Sequence, residues 1–201
     1  GLSMQTRNSD EPHKIIYGTT RVSGNISFLQ TENSGFRYDG SPKSGNNPFL
    51  HMILCLAGHE VEEITTVYFD DKPLTLDGSG WVTSAPYFRD GASYARILKH
   101  LGSDTQAADA VALAQVTGWE AGMQGKGIAY LYAIFEFNSD VFINGVPNVS
   151  AIIKGKKVYD PRTTLTVWSN NPALCVRDFL TSDYGFQIPS SRIDDTSFSD
   201  A

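Results

Sequence analysis

Cysteine is scarce in this 201-residue chain: there are two, with three methionines and three tryptophans. Cys55 and Cys175 lie far apart in apolar settings and form no Cys-x-x-Cys pair, so two reduced, packed thiols are expected. Long apolar runs are missing as well. The longest, Met52-Ile53-Leu54-Cys55-Leu56-Ala57, falls far short of the roughly 18–20 residues a membrane helix needs and reads as a buried strand. Positive charge is in deficit, with 16 Lys and Arg against 22 Asp and Glu and a net charge of −6. A general grip on nucleic acid is therefore not expected, because such binding rests on cationic neutralisation of phosphates; only a local basic patch remains open. No charged region followed by an apolar core succeeds Gly1-Leu2-Ser3-Met4, so a secretory signal is not expected. At the other end Ile193-Asp194-Asp195-Thr196-Ser197-Phe198 begins a new pattern that is cut off, as in a fragment.

Signatures of catalysis are equally thin. His59-Glu60-Val61-Glu62-Glu63 lacks the second histidine that would put two imidazoles on one helical face for zinc, and reads as a charged turn between strands. His13, His51 and His100 have no spacing relation to it, and His51 heads an apolar strand as a packed or hydrogen-bonded residue. The carboxylate pairs Asp70-Asp71 and Asp194-Asp195 suit solvated turns better than a glycosidase cleft, since adjacent carboxylates on a turn point apart. Gly125-Lys126-Gly127 and Gly155-Lys156-Lys157 fit β-turns, not the Gly-x-x-x-x-Gly-Lys-Ser/Thr phosphate loop. No Gly-x-Ser-x-Gly elbow is present, and neither cysteine has a hydrolase context. Asn148-Val149-Ser150 matches a glycosylation sequon by coincidence. These readings predict no enzyme, no catalytic or metal-binding residues and no cofactor.

What the chain does have is the composition of a folded protein, 41% hydrophobic and 11% aromatic. Short β-prone runs are expected over residues 13–17 and 21–30, around Gly18-Thr19-Thr20, followed by a mobile loop over 31–47 rich in Gly, Ser, Asn and Pro. Strands over 49–57 and 64–70 would form an antiparallel meander, with a turn at Asp70-Asp71-Lys72-Pro73. Residues 93–101 read as strand or helix, and Gly102-Ser103-Asp104 would cap a helix over 105–116. The apolar run 128–137 predicts a strand, as does 149–154, with 156–159 as its partner or continuation. Asn170 or Asn171 would cap a final helix with Pro172 in its first turn and Gly185 as its stop. Cys175, Val176, Phe179 and Leu180 would form its buried stripe, while Arg177, Asp178 and Asp183 face away. The expected class is mainly β with α+β character: antiparallel sheets or barrel-like modules with two short helices. The expected organisation is a loose segment over 1–12, a β-rich region with one helix over 13–137 and a second region over 138–201, unless the whole is continuous.

The element most worth pursuing is basic. On one strand Lys154 and Lys156 would project together and Lys157 oppositely, and with Arg162 they could guard an edge, meet an acidic partner or line a channel through an oligomer.

Three groups of residues carry a family resemblance. They are Ser150-Ala151-Ile152-Ile153-Lys154-Gly155-Lys156-Lys157-Val158-Tyr159-Asp160-Pro161-Arg162 with Trp168-Ser169-Asn170-Asn171-Pro172-Ala173, Asp178-Phe179-Leu180-Thr181 and Tyr184-Gly185; Ile16-Tyr17-Gly18-Thr19-Thr20-Arg21-Val22-Ser23-Gly24; and Leu56-Ala57-Gly58-His59-Glu60-Val61-Glu62-Glu63-Ile64. In that ordered succession the chain resembles the hub region of phage and prophage tail proteins, the family of the tail tip attachment protein J and related central tail hubs. The resemblance implies a virion component made in the bacterial host cytoplasm and placed at the tail tip, a homotrimer in its full-length parent that meets other tail tip and tail tube proteins. It implies no catalytic residues, and puts fibre or receptor-binding parts in domains further C-terminal. Lys154, Lys156, Lys157 and Arg162 would then be interface or lumen residues. Two other readings stay open: a carbohydrate-binding module with Trp81, Tyr87, Phe88, Trp119 or Trp168 as stacking platforms, and a tail-associated cell-wall hydrolase.

Overall fold

A continuous apolar run marks a strand covered on both faces, and Ala129–Glu136 is buried at every residue in the computed structural model, which describes residues 12–200. The loose segment expected over 1–12 falls outside the described residues except for Pro12. In chain order the strands are β1 (Thr19–Ser23), β2 (Asn25–Phe36), β3 (Pro42–Ala57), β4 (Glu63–Phe69), β5 (Lys72–Pro73), β6 (Phe88–Arg89), β7 (Ala92–Ser93), β8 (Ala95–His100), β9 (Ala129–Glu136), β10 (Val149–Lys154), β11 (Lys157–Asp160) and β12 (Leu165–Trp168). The helices are α1 (Ala110–Gln115), α2 (Pro172–Thr181) and α3 (Asp195–Ser199), with a 3-10 turn at Ser190–Arg192. The protein is thus mainly β, as expected. Its pairings are antiparallel, and it has three short helices where two were expected.

Two four-stranded sheets, β1-β10-β4-β5 and β2-β3-β9-β8, carry the core, and two hairpins, β6-β7 and β11-β12, complete the pairing. No closed barrel forms among the described residues. Alternation explains how the sheets meet. Leu54 and Met52 of β3 and Leu131, Ala133 and Phe135 of β9 share one face, and join Val67 and Phe69 of β4 and Ala151 and Ile153 of β10 in the principal core. The opposite face of the same strands, with Phe49, Ile53, Tyr130, Tyr132 and Ile134, forms a second cluster with Ala112 of α1, and Trp119 packs against it. Each fully buried Leu or Phe in these layers stabilises by about 1.5–3 kcal/mol.

Several expectations are corrected. β3 and β4 are not neighbours: residues 58–62 cross from one sheet to the other, and β4 pairs with β10, so there is no meander. β10 in turn lies between β1 and β4, which binds residues 149–154 to the first strands of the chain. The expected loop over 31–47 is mostly a ribbon, in which Ser34, Gly35 and Phe36 pair with Ser44, Lys43 and Pro42. It was unreadable as strand because, beyond β9, most of its residues are exposed and no apolar alternation is required.

Residues 13–17 form no strand; their backbone is held from outside, as described below. The run 21–30 is divided at Gly24, which separates β1 from β2. Residues 93–101 resolve as strand β8. Helix α1 begins at Ala110, and its cap is Asp109, whose Oδ1 accepts from the N–H groups of Val111 and Ala112 at 2.8 and 2.9 Å. Gln106, inside the predicted helix, instead binds the Gly102 N–H and the carbonyls of Gln124 and Gly125, which keeps that segment open.

Candidate functional site

The basic element does not form one patch. β10 ends at Lys154, and β11 pairs with β12 and not with β10, so the two-residue alternation is broken at Gly155-Lys156. The cause is a close approach. The N–H of Gly155 donates to the Gly18 carbonyl at 2.7 Å and that of Lys156 to the Ile16 carbonyl at 2.8 Å, and any side chain at Gly155 would overlap the Ile16 carbonyl. Lys154 and Lys156 therefore do not project together as expected. Lys154 and Lys157 instead reach the same acidic turn: Lys154 meets Glu63 at 2.7 Å, and Lys157 meets Glu60 at 3.3 Å and Glu62 at 3.6 Å. Arg162 folds back on Asp160 at 2.9 Å.

Lys156 turns towards α2. Its Nζ lies 2.8 Å from Asp178 Oδ2 and 2.6 Å from the Tyr184 hydroxyl. Asp178 also accepts from the hydroxyls of Tyr17 at 2.5 Å, Tyr184 at 2.6 Å and Ser182 at 3.1 Å. One carboxylate thus gathers donors from the segment before β1, the link between β10 and β11, and the turn after α2. Burial pushes the Asp178 carboxyl up, but the Lys156 bonds and those of Tyr17 and Tyr184 outweigh it and hold it below the usual carboxylate range. On Lys156 burial acts downwards, yet Asp178 and Tyr184 leave the ammonium raised. Burial, with the Asp178 hydrogen bond, pushes the Tyr17 phenol far up. These groups are locked in their ordinary protonation states, so the cluster is suited to fastening segments together.

The turn at His59 fastens the same region from below. His59 Nε2 accepts the Ile16 N–H at 2.9 Å and Nδ1 donates to the Glu60 carbonyl at 2.7 Å, so both ring nitrogens are engaged within the chain. Burial lowers its pKa, in keeping with a neutral ring. Among the described residues no group of three or more His, Cys, Asp or Glu side chains converges to hold a metal ion.

Helix α2 reverses the predicted stripe. Asn171 caps it through the Ala173 N–H at 2.9 Å and Pro172 opens it, as its sequence implies, but it ends at Thr181 with Ser182, not Gly185, as cap. Leu174 and Arg177 are its buried residues. Arg177 stacks on the Tyr159 ring at 4.6 Å and pairs with Asp195, its Nε donating at 2.6 Å. Val176 and Phe179, expected inside, are exposed, and Cys175 and Leu180 are half-buried. Leu165 and Val167, on one face of the β11-β12 hairpin, are exposed too, and Phe186 is 69% exposed.

The aromatic candidates are mostly engaged in packing. Tyr87 is buried against Phe69. Trp81 lies beside Arg96 and Tyr38, and Phe88 beside Tyr38. Trp119 meets Phe28 edge-on at 5.2 Å. Trp168 donates to the Gly18 carbonyl at 3.3 Å with Lys154 over its ring. The cysteines are free and half-buried, and no helix among the described residues is long and apolar enough to cross a membrane. Sequence reasoning missed the Tyr17, Asp178 and Tyr184 cluster: its members are up to 167 positions apart, and no local spacing announces it.

A scan against protein-family models finds no match, and a search of curated proteins finds none. Among solved structures, the chain is similar to a chain in the virion of a native gene transfer agent particle, at 17% identity and a TM-score of 0.43. That alignment covers 76% of this chain and 29% of the other, so the present chain spans less than a third of its length.

Proposed function

We propose that this chain is a non-catalytic structural segment of a phage or prophage tail tip, the hub part of a central tail protein that caps or extends the tail tube. It acts through subunit contacts of a homotrimeric parent and against other tail tip and tail tube proteins, and host attachment resides in parts of the parent beyond these residues. The ordered family-like segments over 16–24, 56–64 and 150–185 support this reading. The observation that carries it is the surface of residues 165–186. The charges of the basic element over 154–162 and of Asp178 are neutralised within the chain, whereas Leu165, Val167, Val176, Phe179 and Phe186 are left in solvent. Internally satisfied charge beside exposed apolar side chains suits an interface between proteins better than a site for a polar substrate.

Mass photometry and chemical crosslinking of the longer parent test it. Trimers are expected, weakened when Leu165 and Phe186 are both changed to Ser. A parent that stays monomeric at high concentration beside its tube partner would overturn the proposal. Trimers indifferent to those two changes would remove the surface assigned here.

A further inference from the structure

Residues 13–18 form a strap, without a strand of its own, held between two other parts of the chain. On one side the Gly58 N–H donates to the Lys14 carbonyl at 3.0 Å, and the Ile16 N–H donates to His59 Nε2 at 2.9 Å. On the other, the N–H groups of Lys156 and Gly155 donate to the Ile16 and Gly18 carbonyls at 2.8 and 2.7 Å. The hairpin β11-β12 and α2, which share no ladder with either four-stranded sheet, also rest on this strap. Tyr17 donates to Asp178 of α2, and Trp168 of β12 donates to the Gly18 carbonyl at 3.3 Å. Ile16 is 6% exposed and belongs to the principal core. The strap is thus a seat that joins the hairpin and α2 to the sheets.

One hydrogen bond of this seat exists in a single protonation state. A ring nitrogen that accepts from a backbone N–H must be bare, so the one hydrogen of the neutral His59 ring is on Nδ1, which donates to the Glu60 carbonyl at 2.7 Å. A second proton would go to Nε2 and set an N–H against the Ile16 N–H, donor against donor. Burial opposes charging the ring most strongly, the Glu60 carbonyl favours it, Lys156 opposes it and Asp178 favours it, and the balance leaves the pKa below its ordinary value. The other charges of this neighbourhood have partners. Glu60 and Glu62 meet Lys157, Glu63 meets Lys154, and Lys14 Nζ donates to the Ser23 carbonyl at 3.0 Å. His13 stands beside Gly58 on the strap itself. A base whose pKa is depressed in the closed state holds that state fully above 6.5, and the hold weakens as pH falls towards the closed-state value.

We propose that His59 is an acid-sensitive latch: on mild acidification its ring takes up a proton, releases the Ile16 N–H and loosens the strap over 13–18, and with it the seat of β11-β12 and α2, while the two sheets stay folded. The latch rests on the hydrogen-bond pattern alone and does not depend on the assembly reading above.

The test is amide hydrogen exchange by NMR on the full chain at pH 7.5 and pH 5.0, corrected for the intrinsic pH dependence of exchange and referred to the amides of β9. Relative protection of the Ile16, Gly155 and Lys156 amides is expected to fall about fivefold at the lower pH, the worth of one hydrogen bond. His59→Gln does not titrate, keeps a side-chain oxygen able to accept from Ile16 and leaves His13 and every carboxylate in place, so it should abolish the fall. If that variant fails to fold, the unaltered chain still decides, because the Ile16 amide resonance must shift with the same midpoint as the His59 ring. Strap amides that keep pace with β9, a fall that persists in His59→Gln, or an Ile16 amide indifferent to the ring titration would overturn the proposal.

Discussion

His51 should make this protein lose stability on mild acidification, because its burial disfavours the charged ring. Its side chain is fully buried on the second face of β3, with Nδ1 2.6 Å from the Tyr132 hydroxyl and Nε2 without a partner. Burial lowers its pKa from 6.5 to about 4, against a weak opposing pull from Glu32. A base whose folded pKa is depressed contributes stability that is fully present above 6.5, its unfolded value, and is lost as pH falls towards 4. Over the whole window the shift is worth about 3.4 kcal/mol; between pH 7.5 and pH 5.0 the linkage relation gives about 2 kcal/mol. The perturbation is His51→Gln, which cannot titrate but keeps an amide able to bond the Tyr132 hydroxyl. Urea unfolding of both proteins at the two pH values isolates the effect, since His59 and the carboxylates are common to both. The original chain should lose about 2 kcal/mol more than the variant. Parallel losses, within about 0.5 kcal/mol, would refute the argument, as would an NMR titration showing His51 protonated in the folded chain at pH 5.

Three further outcomes follow from the same kind of reasoning. Asp178→Ala leaves Lys156, Tyr17 and Tyr184 without their common acceptor and should cost about 2–3 kcal/mol in urea unfolding, less than a fully buried pair because part of the site is wet; a double cycle with Lys156→Met should show strong coupling, and additive losses would disprove a shared hub. Gly102→Ala should cost about 2–3 kcal/mol by thermal melt, because the backbone there has φ +86 and a Cβ would lie 2.7 Å from the Ile128 carbonyl carbon; a neutral change would remove that close approach. Lys154→Ala should leave the unfolding midpoint where it is, since its ion pair with Glu63 is solvent-screened; a clear drop would mean that the pair is structural.

The sequence was most legible where one physical demand acted alone. The unbroken run of β9 could only be a strand buried on both faces, and Asn171-Pro172 announced the start of α2. The ribbon over 31–47 was opaque because, past the edge of β9, nothing apolar is required of it. α2 was misread for the opposite reason: Arg177 is buried by Tyr159 and Asp195, partners that lie 18 positions away on each side and have no signature at helical spacing. The basic element shows the same limit. The residue types Lys154, Lys156 and Lys157 were evident, but their directions depend on Gly155 meeting Ile16 across the chain. Candidate residues could be named from sequence, whereas the cluster around Asp178 exists only through tertiary contact.

The place of β10 between β1 and β4 separates the order of synthesis from the order of assembly. Sheet β2-β3-β9-β8 has all its strands once residue 136 is made, yet β1 waits for partners more than 125 positions later. Until residue 154 leaves the ribosome, β1 and the inner edge of β4 are unpaired, and Leu54, Leu131 and Phe135 lack part of their cover. Such late, non-local closure slows folding and exposes strand edges on a nascent chain. A chain stalled before β10 is thus the species that chaperones or neighbouring copies would meet first.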